Sequence, residues 1–376
     1  MSEWKKGALS DIAEIIMGQS PKGDTCNTIS EGTPLLNGPT EFGIKNPIAI
    51  QFTKDAKRVC QENDVLFCVR GSTTGRMNWA DQEYAIGRGL AALRHKNGDK
   101  YQFFLKGVID YNLPLLLQSV TGSTFPNVSK DQLEGMEILI PPLPEQRAIA
   151  EVLSSLDDKI DLLHRQNKTL EQMAETLFRQ WFIEEAEEEW GEGVLPDEFD
   201  FLMGQSPKGT SFNESGIGIP MYQGNADFGF RFPKKRVYTT EAKRLAQRFD
   251  TLISVRAPVG EQNMAFEECC IGRGVARFRY KNNSNYYTYT YFKLRSLMDE
   301  IKQFNNEGTV FGSISKGDFQ SLSITIPPQN HIDKFQNKVK PIDDKVIENT
   351  IQIRTLEKLR DTLLPKLMSG EVKVKI

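Results

Sequence analysis

The run Met17-Gly-Gln-Ser-Pro-Lys-Gly23 places an amide, a hydroxyl and an ammonium on a tight turn. Those groups suit nucleic acid: a glutamine amide pairs bidentately with adenine, and serine and lysine suit phosphate oxygens. The same seven residues recur letter for letter at Met203–Gly209, an offset of 186. The candidate DNA contacts here are Gln19, Ser20 and Lys22, with Gln205, Ser206 and Lys208 as their counterparts. More polar groups match at the same offset. Asn37 pairs with Gln223, two residues before Asn225, Lys57 and Arg58 pair with Lys243 and Arg244, and Lys130 pairs with Lys316. Asn127 lies in the small polar loop Gly122–Lys130, whose counterpart is Gly308–Lys316. Lys234, Lys235 and Arg236, followed by Lys243, Arg244 and Arg248, form a local basic patch. Arg70 and Arg256 end apolar runs, which leaves a structural and a contact role equally open. Ile86-Gly-Arg-Gly89 and Ile271-Gly-Arg-Gly274 read as turns.

Catalytic chemistry has no matching constellation. His95, His164 and His331 lack metal-ligand spacing, and so do the five cysteines. An odd cysteine count with adjacent Cys269 and Cys270 fits unpaired thiols in a reducing cytosol. Gly71-Ser-Thr-Thr-Gly75 ends in Arg76 and fails the P-loop pattern. Asn46-Pro47-Ile48-Ala49 is not the Asn-Pro-Pro-aromatic tetrapeptide of an amino-methyltransferase. The expectation is a chain with no catalytic residue, cofactor or metal of its own. No run approaches the ~18–20 apolar residues of a membrane span. No apolar stretch follows Met1–Lys6, so no signal peptide is expected and the cytoplasm is the expected compartment.

These residues need scaffolding, and the repeat supplies two copies of it. A period of 186 residues is far longer than a solenoid unit and marks two homologous halves. Short apolar runs such as Val65–Val69, Met136–Ile140 and Thr251–Val255 alternate with Gly, Pro, Asn and Ser punctuation and with shorter helical stretches, around Phe103–Leu117 and Tyr286–Lys302. The predicted fold class is α+β. Residues 1–140 and 187–326 form two homologous compact globules. Residues 141–186 and 327–376 each supply a long helix, the second followed by the C-terminal tail.

The helices show a heptad seam. In the first it runs through Leu153, Leu156, Ile160, Leu163, Asn167 and Leu170, continuing to Ala174, Leu177 and Trp181. In the second it runs through Val339, Ile342, Val346, Asn349, Ile353 and Leu356. Each helix would span about 40 residues, or roughly 60 Å. The globule between them lets the chain return, so an antiparallel coiled-coil pair is expected. Asn167 and Asn349 either fix register inside the seam or face solvent at its edge. Pro365 marks a place for the second helix to kink or end, with Ser369-Gly370 as a stop signal.

The formal charge of −3 is an average over unlike segments. Acids crowd residues 187–200, and a basic surplus remains over residues 201–326. The bulk charge therefore argues only against a DNA reader that works unaided.

The runs Leu9-Ser-Asp-Ile-Ala-Glu-Ile15 with Gly18–Pro21, Ile138–Ala150, Leu156-Asp-Asp-Lys-Ile160 and Leu363–Val372 together resemble the DNA specificity subunit of type I restriction-modification enzymes. The resemblance covers essentially the whole chain. It implies two target recognition domains, each reading one half of an asymmetric, split sequence on double-stranded DNA. It implies two helices that set the spacing and dock two methyltransferase subunits, with motor–nuclease subunits joining that core. S-adenosylmethionine, ATP and Mg²⁺ would belong to those partners. The second helix departs from the pattern, starting Pro327-Pro-Gln-Asn-His-Ile332. A coiled-coil adaptor that binds proteins, or the recognition module of a fused restriction–methylation enzyme, are the alternatives.

Overall fold

The computed structural model describes residues 4–119, 126–304 and 312–375. The chain divides into two compact units, Met1–Leu162 with Ile353–Ile376, and Leu163–Gln352.

Both units have the same topology. In the first, a four-stranded antiparallel sheet has the order Ala13–Met17, Leu90–His95, Val65–Cys68, Met77–Trp79. A five-stranded sheet has the order Cys26–Asn27, Gln51–Thr53, Thr33–Leu36, Tyr84–Ile86, Val59–Cys60, with Thr33–Leu36 and Tyr84–Ile86 parallel. A two-stranded ribbon pairs Lys5–Ala8 with Glu137–Ile140. The second unit repeats all three, with Phe199–Met203, Val275–Tyr280, Thr251–Ser254 and Gln262–Met264 in its four-stranded sheet.

The near-continuous apolar runs are explained by burial on both faces. Along a strand, side chains alternate between faces. Val65, Phe67, Ala91 and Leu93 pack against Phe104, Leu105 and Val108 of the helix Gln102–Ser119. Their neighbours Leu66, Cys68, Leu90 and Ala92 pack against Leu36, Tyr84 and Ile86 of the other sheet. In the second unit, Ile253 and Phe278 join one core while Leu252 and Val275 join the other. Each such Val, Leu, Ile or Phe side chain contributes about 1.5–3 kcal/mol by leaving water. At the base of each four-stranded sheet the repeated acid is structural. Asp64 receives Arg94 at 2.8 and 2.7 Å, and Asp250 receives Arg279 at 2.6 and 2.7 Å.

The long helices are Leu143–Arg179, followed by a π-helical turn Gln180–Glu184, and Gln329–Met368. Within the second unit they run antiparallel: Asn167 Nδ2 donates to Thr350 Oγ1 at 3.2 Å, and Phe178 meets Phe335 edge-on at 5.4 Å. Within the first unit, Arg360 Nη1 donates to Asp157 Oδ1 at 2.9 Å, and Trp4 Nε1 donates to Glu145 Oε2 at 3.1 Å. The second helix does not end at Pro365. It passes through Pro365 and also Pro341, and stops at Met368 with Gly370 at φ +74°. No helix among the described residues is long and apolar enough to cross a membrane.

The heptad seam holds only in part. Leu153, Ile160, Leu163 and Asn167 are buried, and Leu156 and Leu170 are half-buried. Beyond Asn167 the buried positions become Glu171, Ala174, Phe178 and Phe182, leaving Leu177 and Trp181 half-buried. A straight helix drifts about 20° per heptad against a 3.5-residue repeat, and here the drift is not wound out. On the second helix Val339, Val346, Asn349 and Ile353 are buried, Ile342 and Leu356 half-buried, and Asp343, Ile347 and Thr350 widen the stripe. Both seam asparagines are fully buried, which excludes the solvent-facing alternative.

Candidate nucleic-acid interface

Three loops meet where the two larger sheets of each unit adjoin. In the first unit, Gly18 N donates to Leu90 O and Gln19 N to Ile86 O, both at 2.9 Å, which fixes the Gly-Gln-Ser-Pro-Lys turn onto strand ends. Gly87 N donates to Leu36 O at 2.8 Å, which brings the Gly87-Arg88-Gly89 turn beside Asn37. A Cβ on Gly89 would lie 2.3 Å from Asn37 O, and one on Gly18 would lie 2.2 Å from Gly87 O. The glycines are therefore required by close backbone approach. Ser20 Oγ accepts from Arg88 N at 3.3 Å and ties the first loop to the third.

The second unit builds the same junction from the same positions. Gly204 N donates to Val275 O at 2.9 Å and Gln205 N to Ile271 O at 3.0 Å. Arg273 N donates to Ser206 Oγ at 3.2 Å. A Cβ on Gly274 would lie 2.1 Å from Gln223 O.

Around each junction lies a rim of polar side chains. Arg58 O accepts from Ile86 N, and Arg244 O from Ile271 N, both at 2.9 Å. Val69 N donates to Gly89 O, and Arg70 bridges in antiparallel fashion to Asn127. Arg256 bridges likewise to Ser313. Gln19, Asn37, Arg58, Arg70, Arg88 and Asn127 are exposed, as are Gln205, Gln223, Arg244, Arg256 and Arg273. The junction thus gathers Gln19, Ser20, Asn37, Arg58 and Asn127 in one unit, and Gln205, Ser206, Gln223 and Arg244 in the other. Lys22 and Lys208 stand just beyond, each with its carbonyl capping the following 3₁₀ turn. Asn225 is half-buried at the start of the turn Asn225–Asp227.

Several predicted cations are less available than the sequence suggests. Lys57 pairs with Asp55 at 2.7 Å, and Lys130 pairs with Glu134 at 3.1 Å along one helical turn. Lys243 and Lys316 are exposed with no partner among the described residues. The basic patch at Lys234–Arg236 is largely neutralised. Arg236 donates to Asp227 at 2.9 Å, and Lys235 pairs with Glu267. The loop segments Gly122–Phe125 and Gly308–Phe311 lie outside the described residues.

Two exposed residues at the junction were missed by sequence reasoning, Arg88 and Arg273. The signal was present, since the same Gly-Arg-Gly stands in both halves, but a turn accounted for the glycines and nothing in the sequence placed the arginine beside Gln19. His95, by contrast, belongs to the core. Its Nε2 lies 3.0 Å from Gln146 Oε1, and burial pushes its pKa below the usual range. Burial also pushes the Cys60 thiol up to about 12. Among the described residues no group of three or more His, Cys, Asp or Glu side chains could hold a metal ion.

Comparison with known proteins agrees with this duplicated architecture. The family model of the type I restriction modification DNA specificity domain matches residues 1–172 and again residues 187–359. The putative type I restriction enzyme MjaX specificity subunit of Methanocaldococcus jannaschii is 32% identical over 265 residues, which is 66% of this chain and 62% of that protein. The MjaIX specificity subunit of the same organism is 30% identical over 99% of this chain and 94% of its own length. Among solved structures, the S subunit of a type I restriction-modification system from M. genitalium shares the fold, with a TM-score of 0.62 at 19% identity over 97% of this chain and 96% of that one. With its family domain matched in both halves and a relative aligned nearly end to end, this chain belongs to the type I restriction-modification DNA specificity family.

Proposed function

We propose that this chain is the sequence-reading subunit of a type I restriction-modification complex and that each unit reads one half of an asymmetric, split DNA target. The carrying observation is the duplicated loop junction: one frame of glycines and backbone hydrogen bonds, built twice, exposing amides and guanidinium groups suited to base edges and phosphates. The frames match, and on them Asn37 stands against Gln223 and Asn127 against Ser313, so the two half-sites should differ in sequence. The long helices, 37 and 40 residues in length, support a role in setting the gap and in docking two methyltransferase subunits.

Under this reading the chain itself carries out no covalent chemistry. S-adenosylmethionine, ATP and Mg²⁺ act in the methyltransferase and motor–nuclease partners, and the complex works in the cytoplasm. The modest charge supports a reader that binds DNA weakly alone and strongly, with marked salt sensitivity, once partners add phosphate contacts.

Methylome sequencing of cells carrying the complex tests the proposal. The expected result is one bipartite motif with unlike halves and a fixed gap. A continuous palindromic motif would overturn it. A mobility shift with and without methyltransferase subunits separates it from a protein-binding adaptor, which predicts no sequence-specific retention.

A further inference from the structure

Arg88 and Arg273 occupy one position in the two surfaces, beside a position that differs, Asn37 in one and Gln223 in the other. Both are exposed, and neither guanidinium has a partner among the described residues. Their backbone is immobilised, with N–H held by Ser20 Oγ or Ser206 Oγ and flanking glycines locked against Asn37 or Gln223. Each guanidinium therefore leaves the same frame from the same point.

We propose that Arg88 and Arg273 are matched phosphate clamps that set the register of each half-site, and that the packed neighbour, Asn37 or Gln223, discriminates bases. The proposal rests on the DNA-reading function above. Two half-sites of different sequence share only their sugar-phosphate backbone, so an identical residue at an identical place fits the shared element. The planar guanidinium fork matches phosphate bidentately. The neighbouring position has diverged in just the way base discrimination needs. Asn37 Nδ2 is committed to Gln51 Oε1 at 2.8 Å. Val237 stands at the corresponding place in the second unit, so Gln223 has no side-chain partner among the described residues and lines a cavity of about 400 Å³ with Phe212, Asn213 and Arg236. The two units thus offer different donor and acceptor patterns on one backbone.

The test uses the full chain assembled with its methyltransferase subunits, measuring DNA affinity across a salt series and the methylated motif. Arg88→Ala is expected to weaken binding to target and non-target DNA alike, about tenfold at moderate salt. It should lower the slope of log K against log [salt] by about 0.9, with the motif unchanged. Arg88→Lys should restore the slope, and Arg273→Ala should behave as Arg88→Ala does. Asn37→Gln and Gln223→Asn should each change a base in one half-site and leave the slope alone. If either arginine variant alters one base of the motif, or both leave the slope untouched, the clamp is wrong while the DNA-reading function stands. If the unsubstituted complex shows no sequence-specific retention, both fall together.

Discussion

Arg231 Nη2 lies 3.0 Å from Asp343 Oδ1, and both side chains are completely buried. The guanidinium also stacks over the Tyr291 ring, 3.9 Å from its centroid, with Glu171 at 3.6 Å. A loop of the second unit's sheet region is thereby pinned to both long helices. The same repeat position in the first unit is Lys45, which reaches Asp158 at 3.3 Å and Asp161 at 3.9 Å from a partly exposed site.

The two anchors should differ sharply in weight. Arg231→Ala strands Asp343 without its cation and is expected to cost the second unit about 3–5 kcal/mol. Lys45→Ala removes a solvent-screened pair worth at most about 1 kcal/mol. Denaturant titration of both variants checks this; equal losses would contradict it.

Asn349 is fully buried, and neither its side-chain oxygen nor its amide nitrogen has a hydrogen-bond partner among the described residues. An unpaired buried amide costs about 1–3 kcal/mol. Asn349→Leu is expected to raise the unfolding midpoint of the second unit. Asn167→Leu should gain less, since Asn167 already donates to Thr350. A lowered midpoint for Asn349→Leu would show that the asparagine holds register at a net benefit.

Burial depresses the pKa of His95, so the folded first unit binds the proton less readily than the unfolded chain does. Stability is therefore whole above the ordinary histidine value of about 6.5 and falls as pH drops below it. Urea midpoints should decline from pH 7.5 to 5.5 and flatten in His95→Gln. A decline of the same size in that variant would assign the effect to other groups.

If the helices set the gap, deleting one heptad from each should shift the spacing between half-sites and leave their bases unchanged. Methylome sequencing reads both quantities at once. Altered bases with an unaltered gap would reverse the assignment of roles.

Much of this was legible because the chain repeats itself. Gly18 and Gly204, or Gly89 and Gly274, stand out by recurrence, and the structure shows that each answers a backbone contact no Cβ could fit. The apolar runs at Val65–Val69 and Thr251–Val255 announced strands, and the structure shows them buried on both faces. What sequence could not show was pairing across distance. Lys235 and Arg236 read as a free basic patch because Glu267 lies far along the chain and Asp227, nine residues back, is brought round only by the folded loop. The heptad reading missed the drift toward Phe178 and Phe182, because the recognition unit packs on the same helix and selects a different stripe. Arg88 went unassigned because its importance lies in its neighbours, Ser20 and Asn37, which the chain brings from two other loops.

The division of the chain has a consequence for biosynthesis. The second unit is one unbroken stretch, Leu163–Gln352, whereas the first draws Leu363, Leu364, Leu367 and Met368 into its core. A ribosome therefore releases everything the second unit needs before it releases the last pieces of the first. At about 5–20 residues per second, the N-terminal portion waits on the order of 10–40 s with part of its apolar surface uncovered. The half made first is the half completed last.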